Sequence, residues 1–209
     1  MGRTRRAVTS GFAAALAAAA LPGVSEAAAD YALKPDDRWI GKPSARITVI
    51  EYFSPVCPHC GDWEREVWPA FKAKYVKTGK VRFVARELPT APGNLAAAGF
   101  VVARCAPAAK YFNVVEALFA GQQALFDTHD GMTWINQGGA AGGLTPDQVL
   151  ACVQDSAQTE ALNTRVQTGV AEFNVDSTPT FIIRDRKLVG KQSLAELDAV
   201  LQPLLRGKR

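Results

Sequence analysis

The sequence predicts an α/β fold ordered β-α-β, a helical insert, then β-β-α. Three observations carry this. An apolar run, Ile47-Thr48-Val49-Ile50-Glu51-Tyr52-Phe53, breaks into an amphipathic helix and is followed by a second strand-like run, Val81 to Glu87. About ninety residues of helical pattern come next, too many for a loop. The period then returns to that of strands at Thr180 to Ile183 before a last amphipathic helix.

Residues 1–29 have the pattern of an export signal. Arg3, Arg5 and Arg6 form a basic start, Val8 to Leu21 is apolar and rich in alanine, and Ala27-Ala28-Ala29 offers small residues for cleavage before Asp30. Thr4-Arg5-Arg6 also resembles part of a twin-arginine signal. The apolar run is short against the roughly 20 residues of a membrane span, although a retained N-terminal anchor is the alternative. The expected destination is an oxidising compartment, the periplasm for a bacterial-type signal. Loss of three arginines and Glu26 would lower the formal charge from +4 to +2. So small a charge gives no case for a nucleic-acid partner. The remaining chain, about 180 residues, is enough for one well-filled core.

Asp30 to Ser44 reads as a polar lead-in pinned to the core by Trp39 and Ile40. Strand 47–53 is apolar on both faces, as a central covered strand should be. Pro58 suits a first helical turn, and the helix is expected to run to about Thr78, with Trp63, Val67, Phe71 and Tyr75 at four-residue spacing and Gly79 ending it. These elements and the lead-in, 30–92, form the first part of the sheet domain. The insert, 93–174, is expected to hold helices at 94–106, 109–120, near 132–137, from Thr145-Pro146-Asp147 and at 157–173. The second part, 175–209, holds strand 180–183, a turn at Asp185-Arg186, strand Leu188-Val189 and helix 194–205.

Cys57-Pro58-His59-Cys60 lies where strand 47–53 gives way to the helix. A cysteine at a helix start faces unpaired N–H groups and the positive end of the dipole, which favour its thiolate. The second cysteine is one turn on, close enough to form a disulfide. This reads as a redox-active dithiol, with Cys57 the exposed nucleophile and Cys60 the buried resolving thiol. Pro58 stiffens the turn, and His59 adds a donor or a positive charge near the Cys57 sulfur. A stabilised thiolate favours the reduced form, so the disulfide would oxidise other thiols. Glu51 is a carboxylate in an apolar strand, placed to hold or relay the Cys60 proton; a solvated strand-edge glutamate is the alternative. A zinc site needs four ligands, whereas Cys105 and Cys152 stand alone and His129 is the only histidine outside the motif. No metal is expected. Ser177-Thr178-Pro179-Thr180 puts a proline just before a strand, where a cis bond or an ordinary turn would fit.

Glu51-Tyr52-Phe53-Ser54 leading into Cys57-Pro58-His59-Cys60, with Thr178-Pro179-Thr180-Phe181 about 120 residues later, resembles the DsbA family of bacterial thiol-disulfide oxidases over nearly all of the chain after the signal. The resemblance implies a thioredoxin-like fold with an inserted helical domain. It also implies a cis Pro179 beside the dithiol, with Thr178 pairing its backbone with an extended substrate, and acidic residues near the site at Glu51 and Glu64. Family members often have a glycine turn where this chain has Arg184-Asp185-Arg186-Lys187, a loop expected near the substrate surface. Thr178 before the proline also occurs in isomerase-type relatives.

In an oxidising compartment, Cys105 and Cys152 would pair as a structural disulfide, and relatives in this branch carry one here; two separate buried thiols are the alternative. The implied activity is oxidation of thiol-bearing exported polypeptides through a mixed disulfide at Cys57, with reoxidation by a DsbB-like membrane quinone reductase, so that no bound cofactor is needed. Isomerase or reductase activity, a metal (copper) chaperone using the same thiols, and a binding module with vestigial redox residues are the rivals. Isomerases of this class depend on an oligomerising extension, and fewer than twenty residues separate Asp30 from strand 47–53, so a monomer is expected.

Overall fold

A computed structural model of the chain describes residues 1–2, 31 and 33–207. Apart from Met1 and Gly2, the expected export signal lies outside the described residues. Among the described residues, no helix is long and apolar enough to cross a membrane.

The sheet has five strands in the order β1-β3-β2-β4-β5: β1 Arg38–Ile40, β2 Ile47–Phe53, β3 Val81–Glu87, β4 Thr180–Ile183 and β5 Arg186–Val189. Central β2 is buried along its whole length, which explains its unbroken apolar run. It pairs in parallel with β3 and antiparallel with β4, with Glu51 opposite Ala85 and Phe181. β1, read as lead-in from the sequence, adds antiparallel to β3 through three residue pairs. Three residues are too few to show a period, so only pairing reveals this strand.

The helix after β2 is not continuous to Thr78 as its spacing predicts. It divides into α1 Pro58–Glu66 and α2 Trp68–Phe71, followed by a π-helical turn, Lys72–Val76. The break falls at Val67, two residues before Pro69, which has no N–H to continue the ladder and restricts the residue before it. Gly79 then takes φ +74°, a left-handed conformation suited to glycine. Trp63 still reaches the core, with its ring 4.9 Å from Phe181 and 5.7–6.0 Å from Trp68, Phe71 and Phe83.

Between β3 and β4 run α3 Gly93–Cys105, a short 3-10 turn, α4 Tyr111–Ala120, α5 Gln122–Thr128, α6 Gly131–Ala141, α7 Pro146–Gln154 and α8 Ser156–Phe173. Thr145 caps α7 in a capping box with Gln148, in agreement with its Thr-Pro start. The sequence did not predict α5. It follows α4 after a single residue, Gly121, and only Gln122 and Leu125 are buried. α9 Leu194–Arg206 closes the fold under a Ser193–Glu196 capping box. Two main cores result. Phe53, Phe100, Tyr111, Leu118 and Trp134 fill the one beneath the helical block. Trp63, Phe71, Phe83, Phe181, Leu197 and Leu201 fill the one between the sheet, α1 and α9.

Candidate active site

The dithiol sits at the carboxyl end of β2, where open α/β sheets commonly place their chemistry. Cys57 is the N-cap of α1, with φ −79° and ψ 121°, and Pro58 occupies the first helical turn. The Cys57 N–H donates to the Ser54 carbonyl at 3.1 Å, and the Cys57 carbonyl accepts from the Gly61 N–H at 3.1 Å. Both thiols are free of disulfide.

Cys60 is fully buried, but Cys57 is only 8% exposed, which corrects the expectation of an exposed nucleophile. The loop before β4 covers it: the Cys57 thiol donates to the Thr178 carbonyl at 3.5 Å. The two sulfurs are nevertheless strongly unlike. The Cys60 thiol, donating to the Cys57 sulfur, does most to push the Cys57 pKa down to about 5. Burial opposes this; the Thr178 side chain and the N–H groups of Cys60 and His59 assist it. Cys60 moves well above its ordinary value, first through burial, then through its bond to Cys57 and the nearby Glu51 charge. One sulfur is thus set to be the anion and the other the acid.

The structure gives His59 a different part from the expected one. Pro58 and His59 are exposed, and the His59 group acting on the Cys57 sulfur is its backbone N–H. Thr178–Pro179 is a cis bond. The Pro179 carbonyl accepts from the Gly190 N–H at 2.8 Å, tying this loop to the end of β5. The Thr178 hydroxyl is buried and has no partner while Cys57 is a thiol, so it is available to donate once that sulfur ionises.

The Arg184–Lys187 turn is not beside the site. Pairing of Thr180 with Val189 puts the end of β5 next to the cis-proline, whereas Ile183 pairs with Arg186 at the other end of the hairpin, about 10 Å away at roughly 3.3 Å per residue. Val189, apolar and 55% exposed, is the residue presented there instead.

Glu51 is 5% exposed and shares a cavity of about 10 Å³, room for about one water, with Glu64, Trp68, Phe112 and Glu116. Burial, then the Glu64 and Cys57 charges, push its carboxyl well above the ordinary value. Glu64 is pushed up to about 8 by burial and by Glu116, against the pull of Lys72. Glu116 accepts from the Trp68 indole N–H at 3.2 Å and pairs with Lys72. Sequence reasoning missed Glu116 and Lys72, which look like ordinary helix-surface charges until α4 packs against α1.

It also missed Gln122. This residue, 1% exposed, donates to the Pro55 carbonyl at 2.9 Å and the Cys57 carbonyl at 3.0 Å. Nothing in the local sequence separates it from exposed Gln123. Away from the dithiol, Cys105 on α3 and Cys152 on α7 are joined as a disulfide, Cα to Cα 6.5 Å. Among the described residues, no three His, Cys, Asp or Glu side chains gather as a metal site.

Comparison with known proteins agrees with this architecture. The family model described as thioredoxin matches residues 33–203. A Rickettsia bellii protein named "Putative protein-disulfide oxidoreductase" is 30% identical over 165 residues, covering 78% of this chain and 62% of that protein. A Rickettsia typhi protein of similar name is also 30% identical, over 71% of this chain and 54% of the relative. The chain therefore spans about three-fifths of the length of the curated relatives it matches. Among solved structures, Wolbachia pipientis alpha-DsbA1 superposes with a TM-score of 0.74 at 24% identity, over 83% of this chain and 92% of that one. Bacillus subtilis BdbD superposes at 0.68 with 18% identity, over 82% and 94%. These likenesses bear out the predicted fold, helical block included. With the model matched from the lead-in to the last helix, this chain belongs to the thioredoxin family.

Proposed function

We propose that the chain is a thiol-disulfide oxidoreductase working as an oxidase. The supporting observation is the convergence on one sulfur, Cys57, of the Cys60 thiol, two backbone N–H groups and Thr178. In the oxidised form, a substrate thiolate attacks the Cys57 sulfur. The Cys57–Cys60 bond breaks, and Cys60 leaves and takes a proton, with Glu51 the buried acid whose charge acts on it. A second substrate thiolate then attacks the substrate sulfur of the mixed disulfide, and Cys57 departs as a stabilised thiolate. The substrate loses two electrons and two protons. One proton ends on Cys60, the other in solvent, and both electrons on the dithiol. A stable leaving thiolate is what drives this direction.

The exposed apolar Val189 beside cis-Pro179 suits an extended polypeptide as substrate. The expected setting is the periplasm, with exported thiol-bearing polypeptides as substrates and a DsbB-like membrane quinone reductase accepting the two electrons from a monomeric protein. The test is equilibration with reduced and oxidised glutathione, together with oxidation of a reduced dithiol peptide. A strongly reduced equilibrium and peptide oxidation abolished by Cys57→Ala are expected. An equilibrium like that of a reductant, with no peptide oxidation, would defeat the oxidase reading.

A further inference from the structure

Gln122 is the point at which the helical block grips the active-site turn. It lies at the start of α5, 65 residues beyond Cys57, and is 1% exposed. Both partners of its amide are carbonyls, which accept only, so the NH2 group faces them and spends its two protons on Pro55 and Cys57. The Cys57 carbonyl is thereby held twice, by Gln122 and by the Gly61 N–H that opens the α1 ladder. Gly61 in turn is cut to fit Gln122: a Cβ at position 61 would lie 2.0 Å from the Gln122 Oε1. The residue after the second cysteine is small because the amide occupies that space.

Resting on the oxidase reading above, we propose that Gln122 is a positioning residue for the dithiol, acting through the backbone of residues 55–57 on the Cys57 sulfur. The N–H groups of His59 and Cys60 reach that sulfur only if the Cys57 backbone is held against the first turn of α1. The Pro55 carbonyl is fixed by Gln122, from another part of the chain. Without its two donors, the segment from Pro55 to Cys57 has a looser register, and the anion gains less from the turn. The helical block would then tune the reactivity of a dithiol that belongs to the sheet domain.

The test compares the full-length protein with Gln122→Met, which keeps volume and removes both donors, and with Gln123→Met, which alters the exposed neighbour on the same helix. The readouts are the Cys57 thiolate absorbance against pH and the equilibrium with glutathione. Gln122→Met is expected to raise the Cys57 midpoint by about one pH unit and move the equilibrium about tenfold toward the disulfide. Gln123→Met should do neither. A folded Gln122→Met with both quantities unchanged overturns the proposal. Should that variant fail to fold, Gly61→Ala decides, because it displaces the amide without deleting it: the same upward midpoint supports the role and an unmoved one overturns it. If the native protein itself has an ordinary Cys57 midpoint and oxidises no peptide, the oxidase reading fails; if only the variants are silent, that reading stands and the role of Gln122 falls.

Discussion

The Cys57 thiol donates a hydrogen bond of 3.5 Å to the Thr178 carbonyl, joining residues 121 positions apart. This contact exists only while the sulfur carries its proton. On ionisation, the sulfur becomes an acceptor, and the Thr178 hydroxyl, buried without a partner, becomes a donor within the same residue. Thr178 can therefore serve either state of the sulfur, through its backbone in one and its side chain in the other.

Thr178→Val separates these two roles, since it keeps the carbonyl and the shape and removes only the hydroxyl. The thiolate midpoint of Cys57 is expected to rise by about half a pH unit, the worth of one modest hydrogen bond. Stability of the reduced protein should hold or increase slightly, because the deleted group is a buried hydroxyl with no partner. Thiolate absorbance and urea denaturation check the two halves. An unmoved midpoint would assign the effect of Thr178 to its backbone alone.

Ionisation of Cys57 also makes the stability of the reduced form depend on pH. The folded pKa, about 5, lies below the ordinary 9.0. A depressed pKa contributes stability that is complete above the ordinary value and is lost as pH falls through about 5. Native reduced protein should exceed Cys57→Ser by about 2 kcal/mol at pH 7 and by almost nothing at pH 4. Comparison with Cys57→Ser matters because Glu51 and Glu64, both pushed upward, titrate with the opposite sign. Denaturant midpoints at the two pH values, with slopes held equal, provide the measurement.

Legibility followed sequence distance. Strand Ile47–Phe53, the Cys57–Cys60 turn, Pro179 before β4 and the capped start of α7 were readable, because each depends on neighbours within a few residues. β1 was not readable, since its only support is pairing with β3, more than forty positions away. The break at Val67 was in principle visible from Pro69, but the four-residue spacing of aromatics runs straight through it. At the site, the paired cysteines of the turn and the buried Glu51 were legible by residue type and place. Gln122, Glu116 and Lys72 were not: a polar residue on a helix looks solvated until another helix covers it.

Replacing Glu51 by glutamine tests the proton step. The carboxyl is buried next to Glu64 and close enough to Cys60 to raise its pKa, so it is suited to hand that thiol a proton or remove it. Glutamine keeps the shape and cannot titrate. Cys60 attack on the mixed disulfide, the reverse of the step in which Cys60 leaves, is expected to slow about 10²-fold, a usual worth for general acid–base help. Above the raised Glu51 pKa, the variant should also be more stable than native, because a raised carboxyl pKa costs stability as pH rises through it. Trapped mixed disulfide followed over time at fixed pH is the direct assay. Unchanged resolution would leave Glu51 as a buried acid with no part in exchange.

Removing the second disulfide should separate folding from chemistry. Cys105 and Cys152 close a loop with a sequence separation of 47, from α3 to α7, entirely within the helical block. In the chain-entropy account, opening such a loop costs about 4 kcal/mol. The double variant Cys105→Ala with Cys152→Ala, which removes each sulfur and leaves a methyl side chain, is expected to lose about that much in equilibrium denaturation. None of the groups acting on the Cys57 sulfur comes from these residues, so its thiolate midpoint should stay near 5 wherever the variant is folded. A midpoint that moved with the disulfide would mean that strain in the helical block reaches the dithiol, and Gln122, which bonds the Cys57 carbonyl from α5, is the contact through which it would travel.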